Sequence, residues 1–333
     1  VLINLVYITY LSNKLFHDKS SKRSNNLIHQ DKIFTLCQLN GKNTMHKEIQ
    51  YYNSIEAAKI LGVNVSTIKR WTDDGRLECI RTAGGHRKFI MSHLSEFLDQ
   101  NRKKRSKINL FPLENETDLK ISNHILKGDF FHLIEYLQKQ TFNCNRDKVQ
   151  KVFNGLYLAQ YPLYVIYDQI VTPILRDIGQ LWRKGKIDVI QEHLAASTLR
   201  DAIKRLQGII SLPKAKKGKA LCLNLSNEMH DIALKMVDHI LENRGFKVLY
   251  SGQNTPIINF EKILKSFKPD RIYISSSYIE DIKAAQEEFD YICDCSAKAG
   301  INIYIGGAGF DQLNYDHLAV AQRLHTFEEI HKI

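Results

Sequence analysis

The chain lacks a membrane-spanning stretch: none of its apolar runs approaches the ~20 residues such a helix needs. Val1 to Tyr10 is mostly apolar, yet no basic segment precedes it and no small-residue cleavage site follows it, so it does not read as a secretion signal. A disulfide framework is missing as well. Six cysteines (Cys37, Cys79, Cys144, Cys222, Cys293 and Cys295) are scattered, and Cys293 and Cys295 stand too close for a usual zinc pair. They read as reduced thiols of a cytoplasmic protein. A dinucleotide fingerprint is absent: Gly306-Gly307-Ala308-Gly309 follows the fourth expected strand, not the first, and does not spell G-x-G-x-x-G. Acid is scarce, with Asp+Glu 36 against Lys+Arg 47 and a formal net charge of +11. That imbalance favours an anionic partner, and nucleic acid is the first candidate.

What is present is a globular composition, 44% hydrophobic and 25% charged, over 333 residues, enough for two or three domains. Residues 1–44 are expected to be a disordered or translated upstream extension: Asn13 to Gln30 is polar and basic, and the first methionine is Met45. Three domains should follow, over 45–107, 115–210 and 216–333.

In the first, Ser54 is an N-cap candidate for a helix through Leu61, with Ile55, Ala58 and Leu61 on its inward face. Gly62 should stop it, Val63-Asn64-Val65 should turn, and Ser66 should cap a second helix over Thr67–Asp74. This helix-turn-helix exposes Asn64, Ser66, Thr67, Lys69 and Arg70, small polar and basic groups of the kind that read a major groove. Leu77 to Phe89 (LECIRTAGGHRKF) predicts a hairpin with its tip at Ala83-Gly84-Gly85-His86. Its Arg81, His86, Arg87 and Lys88 would meet phosphates or the minor groove. A helix over Ser92–Gln100 should pack Leu94, Phe97 and Leu98. Arg102 to Lys107 (RKKRSK) reads as a basic linker.

The middle has few glycines and long 3.6-residue periodicity, predicting helices near 118–127, 130–140, 146–160, 164–183 and 187–208, an all-α bundle. In the last part, strands near 219–225, 247–250, 271–275, 301–305 and 318–323 alternate with helices near 231–244, 256–267 and 281–299 and a short one from 326. That alternation predicts an α/β doubly wound parallel sheet. The stretch KALCLNLSNEMHDIA (219–233) runs from a buried strand into Glu228-Met229-His230. In such a sheet, ligands bind at the carboxyl ends of strands. A histidine there, two residues after a carboxylate, suits a metal ligand with a supporting partner. Alone, His230 reads rather as a surface-loop histidine in an unrelated doubly wound domain; it is the further elements in register that favour a ligand.

Spacing carries a resemblance. Ser275-Ser276-Ser277 follows 41 residues after Ala233, and Gly306-Gly307 follows 28 residues after Ser277. This resembles the cobalamin-binding signature D-x-H-x-x-G, S-x-L, G-G, with Glu228, Ala233 and Ser277 as departures. The GGHRKF wing is similar to that of MerR/excisionase-type winged helices. Trp182, then nine residues, then Glu192-His193 resembles the W-x9-E-H motif of the bundle capping adenosylcobalamin in MerR-type cobalamin-dependent photoreceptor regulators of the CarH/LitR type. The resemblance implies a flavodoxin-like tail with His230 as lower cobalt ligand. The cofactor's own base would lie in a groove floored by Ser275, Ser277, Gly306 and Gly307, while Trp182, Glu192 and His193 would contact the upper ligand. It implies a light-responsive repressor acting on double-stranded operator DNA through a homo-oligomer, dimer or tetramer, and not an enzyme. Arg183 stands where some members carry a histidine, which leaves cobalt ligation after light open. Two other readings stay open: a corrinoid-carrying module of a methyltransferase or mutase, and a regulator that has lost cobalamin.

Overall fold

The computed structural model describes residues 51–61, 63–100, 116–213, 215–315 and 320–333. The expected extension, the Gly62 stop and the Arg102–Lys107 linker lie outside them.

The head opens with a strand that sequence reasoning missed because it is two residues long. This strand, β1 (Tyr52–Asn53), pairs antiparallel with β3 (Arg87–Phe89), which also pairs with β2 (Ile80–Arg81). Helix α1 (Ser54–Leu61) is capped by Asn53, not Ser54: Asn53 Oδ1 accepts from the N–H groups of Ile55 and Glu56, and the Glu56 carboxylate accepts from Asn53 N–H at 2.7 Å. This is the reciprocal pattern that satisfies orphan donors at a helix start. Contrary to expectation Ile55 points out, 57% exposed; the inward face is Ala57, Ala58, Ile60 and Leu61. Helix α2 (Val65–Asp73) starts earlier than expected, so Ser66 lies inside it; Asn64 holds the cap position without a side-chain bond. Ile68 faces inward, and Trp71 packs on Phe97 of α3 (Met91–Gln100), whose Leu94, Phe97 and Leu98 are buried as predicted.

The bundle comprises α4 (Glu116–Lys127), α5 (Phe130–Phe142), α6 (Arg146–Leu158), a long broken helix, and α9 (Val189–Leu206). The long helix is α7 (Leu163–Ile166), a π-turn at Tyr167–Val171, and α8 (Thr172–Arg183). Periodicity cannot reveal one extra residue in a turn. The cause is local: Pro173 has no N–H for the carbonyl four residues back, and the widened turn precedes it, with Thr172 N–H bonding Tyr167 O. Asp188 caps α9 in a capping box with Gln191.

The tail is β4 (Gly218–Asn224), α10 (Ile232–Asn243), β5 (Phe246–Tyr250), α11 (Phe260–Phe267), β6 (Arg271–Ser275), α12 (Ile282–Ala299), β7 (Asn302–Gly306), β8 (Ala321–Arg323) and α13 (Phe327–Lys332). Helix α11 begins later than predicted because Asn259 takes a left-handed conformation, φ 54°. All five strands pair in parallel in the order β5-β4-β6-β7-β8. Both faces are covered: Leu221, Leu223 and Leu225 pack with α11 and α12, while Ala220, Cys222, Tyr273 and Tyr304 belong to the core shared with α10 and the bundle. The π-turn joins bundle to tail. Tyr167 Oη lies 2.8 Å from His239 Nδ1 in the interior, and Asp168 accepts from the N–H groups of Phe327 and Glu328, opening α13. No helix among the described residues is long and apolar enough to cross a membrane.

Candidate functional site

Strand order reverses between β4 and β6, and at the carboxyl ends of such a pair a doubly wound sheet leaves its crevice. The loops after β4 and β6 meet there around one carboxylate. Glu228 is 3% exposed. Its Oε1 lies 2.6 Å from His230 Nδ1 and accepts from His230 N–H at 2.8 Å. Its Oε2 accepts from the N–H groups of Ser277 at 2.5 Å and Tyr278 at 3.0 Å. Burial alone would raise this carboxyl; the His230 ring and the N–H groups of Tyr278, His230 and Ser277 outweigh it and hold it below the ordinary glutamate range. Glu228 in turn holds the His230 imidazole above its usual value, and the charge of Glu192 on α9 acts in the same direction. Because a carboxylate only accepts, a neutral His230 must carry its proton on Nδ1, leaving Nε2 as the lone-pair donor.

The His230 loop is tied from several sides. Asn224 Nδ2 donates to His230 O at 3.3 Å, Asn254 N–H to Glu228 O at 3.0 Å, Gln253 Nε2 to Met229 O, and Ser226 N–H to Glu288 at 2.7 Å. From the bundle, Arg200 Nε reaches within 3.1 Å of Asp231 Oδ1. Sequence reasoning missed these supports: all but the Asn224 bond join residues 24 or more apart, which no spacing rule connects.

The three motif residues fall on either side of the turn between α8 and α9. Trp182 ends α8 half-exposed, Gly185 turns the chain at φ 64°, and Glu192 and His193 follow in α9, with His193 Nδ1 2.7 Å from Glu192 Oε2. Val189, Ile190 and Leu194 are exposed beside them; on the floor, so are Met229 and Tyr278. An exposed imidazole with a fixed partner, bordered by uncovered apolar side chains, has the chemistry a corrinoid requires: a nitrogen for cobalt and apolar surface for a macrocycle.

The floor differs in one respect from the expected open groove. Ser275 is buried in register with Gly306, and Ser277 is exposed. The space beside Gly307 is filled by this chain's own Ser276: an added Cβ would lie 2.2 Å from Ser276 O. Gly306 has more room, its nearest neighbour being Leu324 O at 3.6 Å.

On the head, Ser66, Lys69 and Arg70 are exposed along α2, with Thr67 partly so, and His86 sits exposed at the wing tip. Arg81 and Arg87, however, both grip Asp73 Oδ1 at the end of α2, at 2.8 and 2.6 Å, and hold its carboxyl below the usual range. The wing is thereby fastened to the recognition helix, and two of its cations are already partnered. Lys88→Ala should therefore lower the salt slope of DNA binding by about one unit, whereas Asp73→Ala should steepen it by about one or two as the arginines are freed. Fluorescence anisotropy at graded salt measures both, and an unchanged slope in Lys88→Ala would refute a phosphate contact there.

Comparison with known proteins places these features in context. A helix-turn-helix domain family matches residues 51–102, and B12 binding domain families match residues 133–207 and 218–329. The HTH-type transcriptional repressor CarH of Myxococcus xanthus is 23% identical, covering 82% of this chain and 93% of that protein. Dimethylamine corrinoid protein 2 of Methanosarcina mazei is 22% identical over 53% of the chain and 83% of its own length. The monomethylamine corrinoid protein of Methanosarcina barkeri shares the fold with a TM-score of 0.50 at 15% identity, over 60% of this chain and 96% of that one.

Proposed function

We propose that this chain, a CarH-like cobalamin-binding transcription regulator, takes adenosylcobalamin as its ligand, represses by holding a double-stranded operator in the dark, and lets go in light. The observation that carries the reading is the Glu228–His230 couple at the sheet's switch point, within electrostatic reach of Glu192 on the lid, in a chain that also bears a winged helix. Bound adenosylcobalamin would supply a visible-light chromophore with a light-cleavable cobalt–carbon bond.

The protein's own groups do the rest. His230 would offer Nε2 to cobalt, and Glu228 fixes the ring's tautomer and aim. Ser275, Ser277, Gly306 and Gly307 form the end of the sheet against which the cofactor's nucleotide tail would lie. Trp182, Glu192 and His193 would contact the cofactor's exchangeable ligand. Loss of the cofactor's exchangeable ligand in light would remove contacts that these side chains make in only one state, and a dimer or tetramer equilibrium would shift accordingly. Heads joined in one oligomer bind DNA with avidity, so disassembly releases it. Such a regulator acts in the cytoplasm, where its operator is.

Size-exclusion chromatography with adenosylcobalamin, in the dark and after green light, tests this. A large red species that dissociates on illumination, with operator binding lost in parallel, is the expected result. His230→Ala should bind cobalamin roughly 10–100-fold more weakly. Identical elution in dark and light would overturn the light response. A second reading, a corrinoid carrier serving methyl transfer, draws support from the likeness of bundle and tail to the methylamine corrinoid proteins. The basic wing has no task in such a carrier, and methyl transfer without operator binding is the result that would favour it. DNA binding indifferent to both cobalamin and light would instead indicate a regulator of another signal, an outcome for which Ala233 and Arg183 leave room.

A further inference from the structure

A second cluster of metal-ligating side chains lies at the corner between α4 and α5, and neither the cobalamin site nor the DNA face uses it. His124 in the last turn of α4, Asp129 in the connecting turn and His132 in the first turn of α5 bring their ligand atoms within 4.8 Å of one another. Both Nδ1 atoms converge on one carboxylate oxygen, Asp129 Oδ2, at 2.9 and 2.8 Å. The two rings stack with centroids 4.8 Å apart. The other oxygen, Oδ1, accepts from His132 N–H at 3.4 Å, so the carboxylate is held by the helix start while Oδ2 faces the rings.

Besides the Asp129 cap, backbone bonds and a bond from across the bundle fix the corner. Gly128 takes φ 69°, Asp129 N–H bonds His124 O at 2.9 Å, and the Tyr161 hydroxyl donates to Ile125 O at 2.8 Å from across the bundle. The donors are thus presented by a fixed backbone.

We propose that this corner binds one divalent transition-metal ion of the zinc class, through His124 Nδ1, His132 Nδ1 and Asp129 Oδ2, with a fourth position open to water. Two imidazoles and one carboxylate are a donor set for borderline ions, and three protein ligands leave a tetrahedral ion one vacant position. The proton balance is favourable. Facing a carboxylate, each neutral ring carries its proton on Nδ1. Binding moves that proton to Nε2, so both rings coordinate without net proton release. His132 is 54% exposed, which gives the ion a path from solvent. The bound ion would cross-link the ends of α4 and α5.

The test uses the full chain loaded with cobalamin, so that His230 is engaged, and zinc alone as probe, read by competition with a chromogenic chelator. Wild type should bind one zinc per chain at this site. His124→Gln, His132→Gln and Asp129→Asn should each weaken binding about tenfold or more, and the double histidine variant should abolish it. Zinc should raise the melting temperature of wild type but not of the variants, while cobalamin loading stays unchanged in all of them. Equal zinc binding by wild type and the double variant, or none by wild type, would overturn the proposal. Should the double variant lose helicity, His132→Gln, at an exposed position, decides alone. The difference in zinc binding between wild type and the variants involves neither light nor operator, so it fails or succeeds independently of the light response and of repression.

Discussion

Gly307→Ala should cost the α/β domain on the order of 4 kcal/mol or more, among the largest effects of any single substitution. Two causes add. The backbone there has φ 96°, which a residue with a Cβ rarely adopts. The new methyl would also lie 2.2 Å from Ser276 O and 2.7 Å from Ser276 C. Ser276 cannot retreat cheaply: its N–H bonds Gly306 O at 3.0 Å and its carbonyl accepts from Gly309 N–H at 2.9 Å, so moving it breaks the clasp between the β6 and β7 loops. Gly306→Ala is the matching control. Its nearest neighbour would be an ordinary contact at 3.6 Å, so stability should change by less than about 1 kcal/mol. If the cobalamin tail lies against this strand end, Gly306→Ala should weaken cobalamin binding while leaving the apo-protein's urea midpoint nearly unchanged. A Gly307→Ala protein as stable as wild type would contradict the loop clasp.

Glu228→Ala should have the second-largest effect, and on two readouts. Its carboxylate accepts from His230, Ser277 and Tyr278, and removing it strands the N–H groups of two loops; about 2–4 kcal/mol of stability should go with it. Without its partner the His230 ring loses both aim and tautomer, and cobalamin affinity should fall roughly 10–100-fold. Glu228→Gln, which keeps the volume but presents an amide N–H to one set of donors, should fall between. The same carboxylate predicts a pH dependence. Its folded value lies below the ordinary glutamate range, so its contribution is full above that range and fades as pH falls through the lowered value. In Glu228→Gln that acid-limb slope should flatten. An unaltered acid limb, measured by urea denaturation between pH 3 and 6 in ~1-unit steps, would remove Glu228 from the account.

Much of this protein could be read from residues in a row. The alternation of apolar strands with helical stretches over 219–333 determined a parallel sheet, because burying both faces of a strand demands continuous apolar runs whatever the rest of the chain does. The GGHRKF wing, the Trp182 to Glu192-His193 interval and the Glu228-x-His230 spacing are likewise local, since each depends on a turn or a helix repeat. Helix starts slipped by one residue at Ser54, where the Asn53 side chain caps the helix, by two at Ser66, and by four before Phe260, where left-handed Asn259 chose the boundary.

Only the tertiary structure decided who meets whom across the chain. It put Ser276 into the space of Gly307, gave Glu228 two N–H donors from a loop 49 and 50 residues away, let Asp73 take both wing arginines, and set Arg200 beside Asp231. Such contacts draw their energy from close approach and shared burial between distant segments. A sequence states the partners but not their separation, and these interactions exist only at separations of a few ångströms.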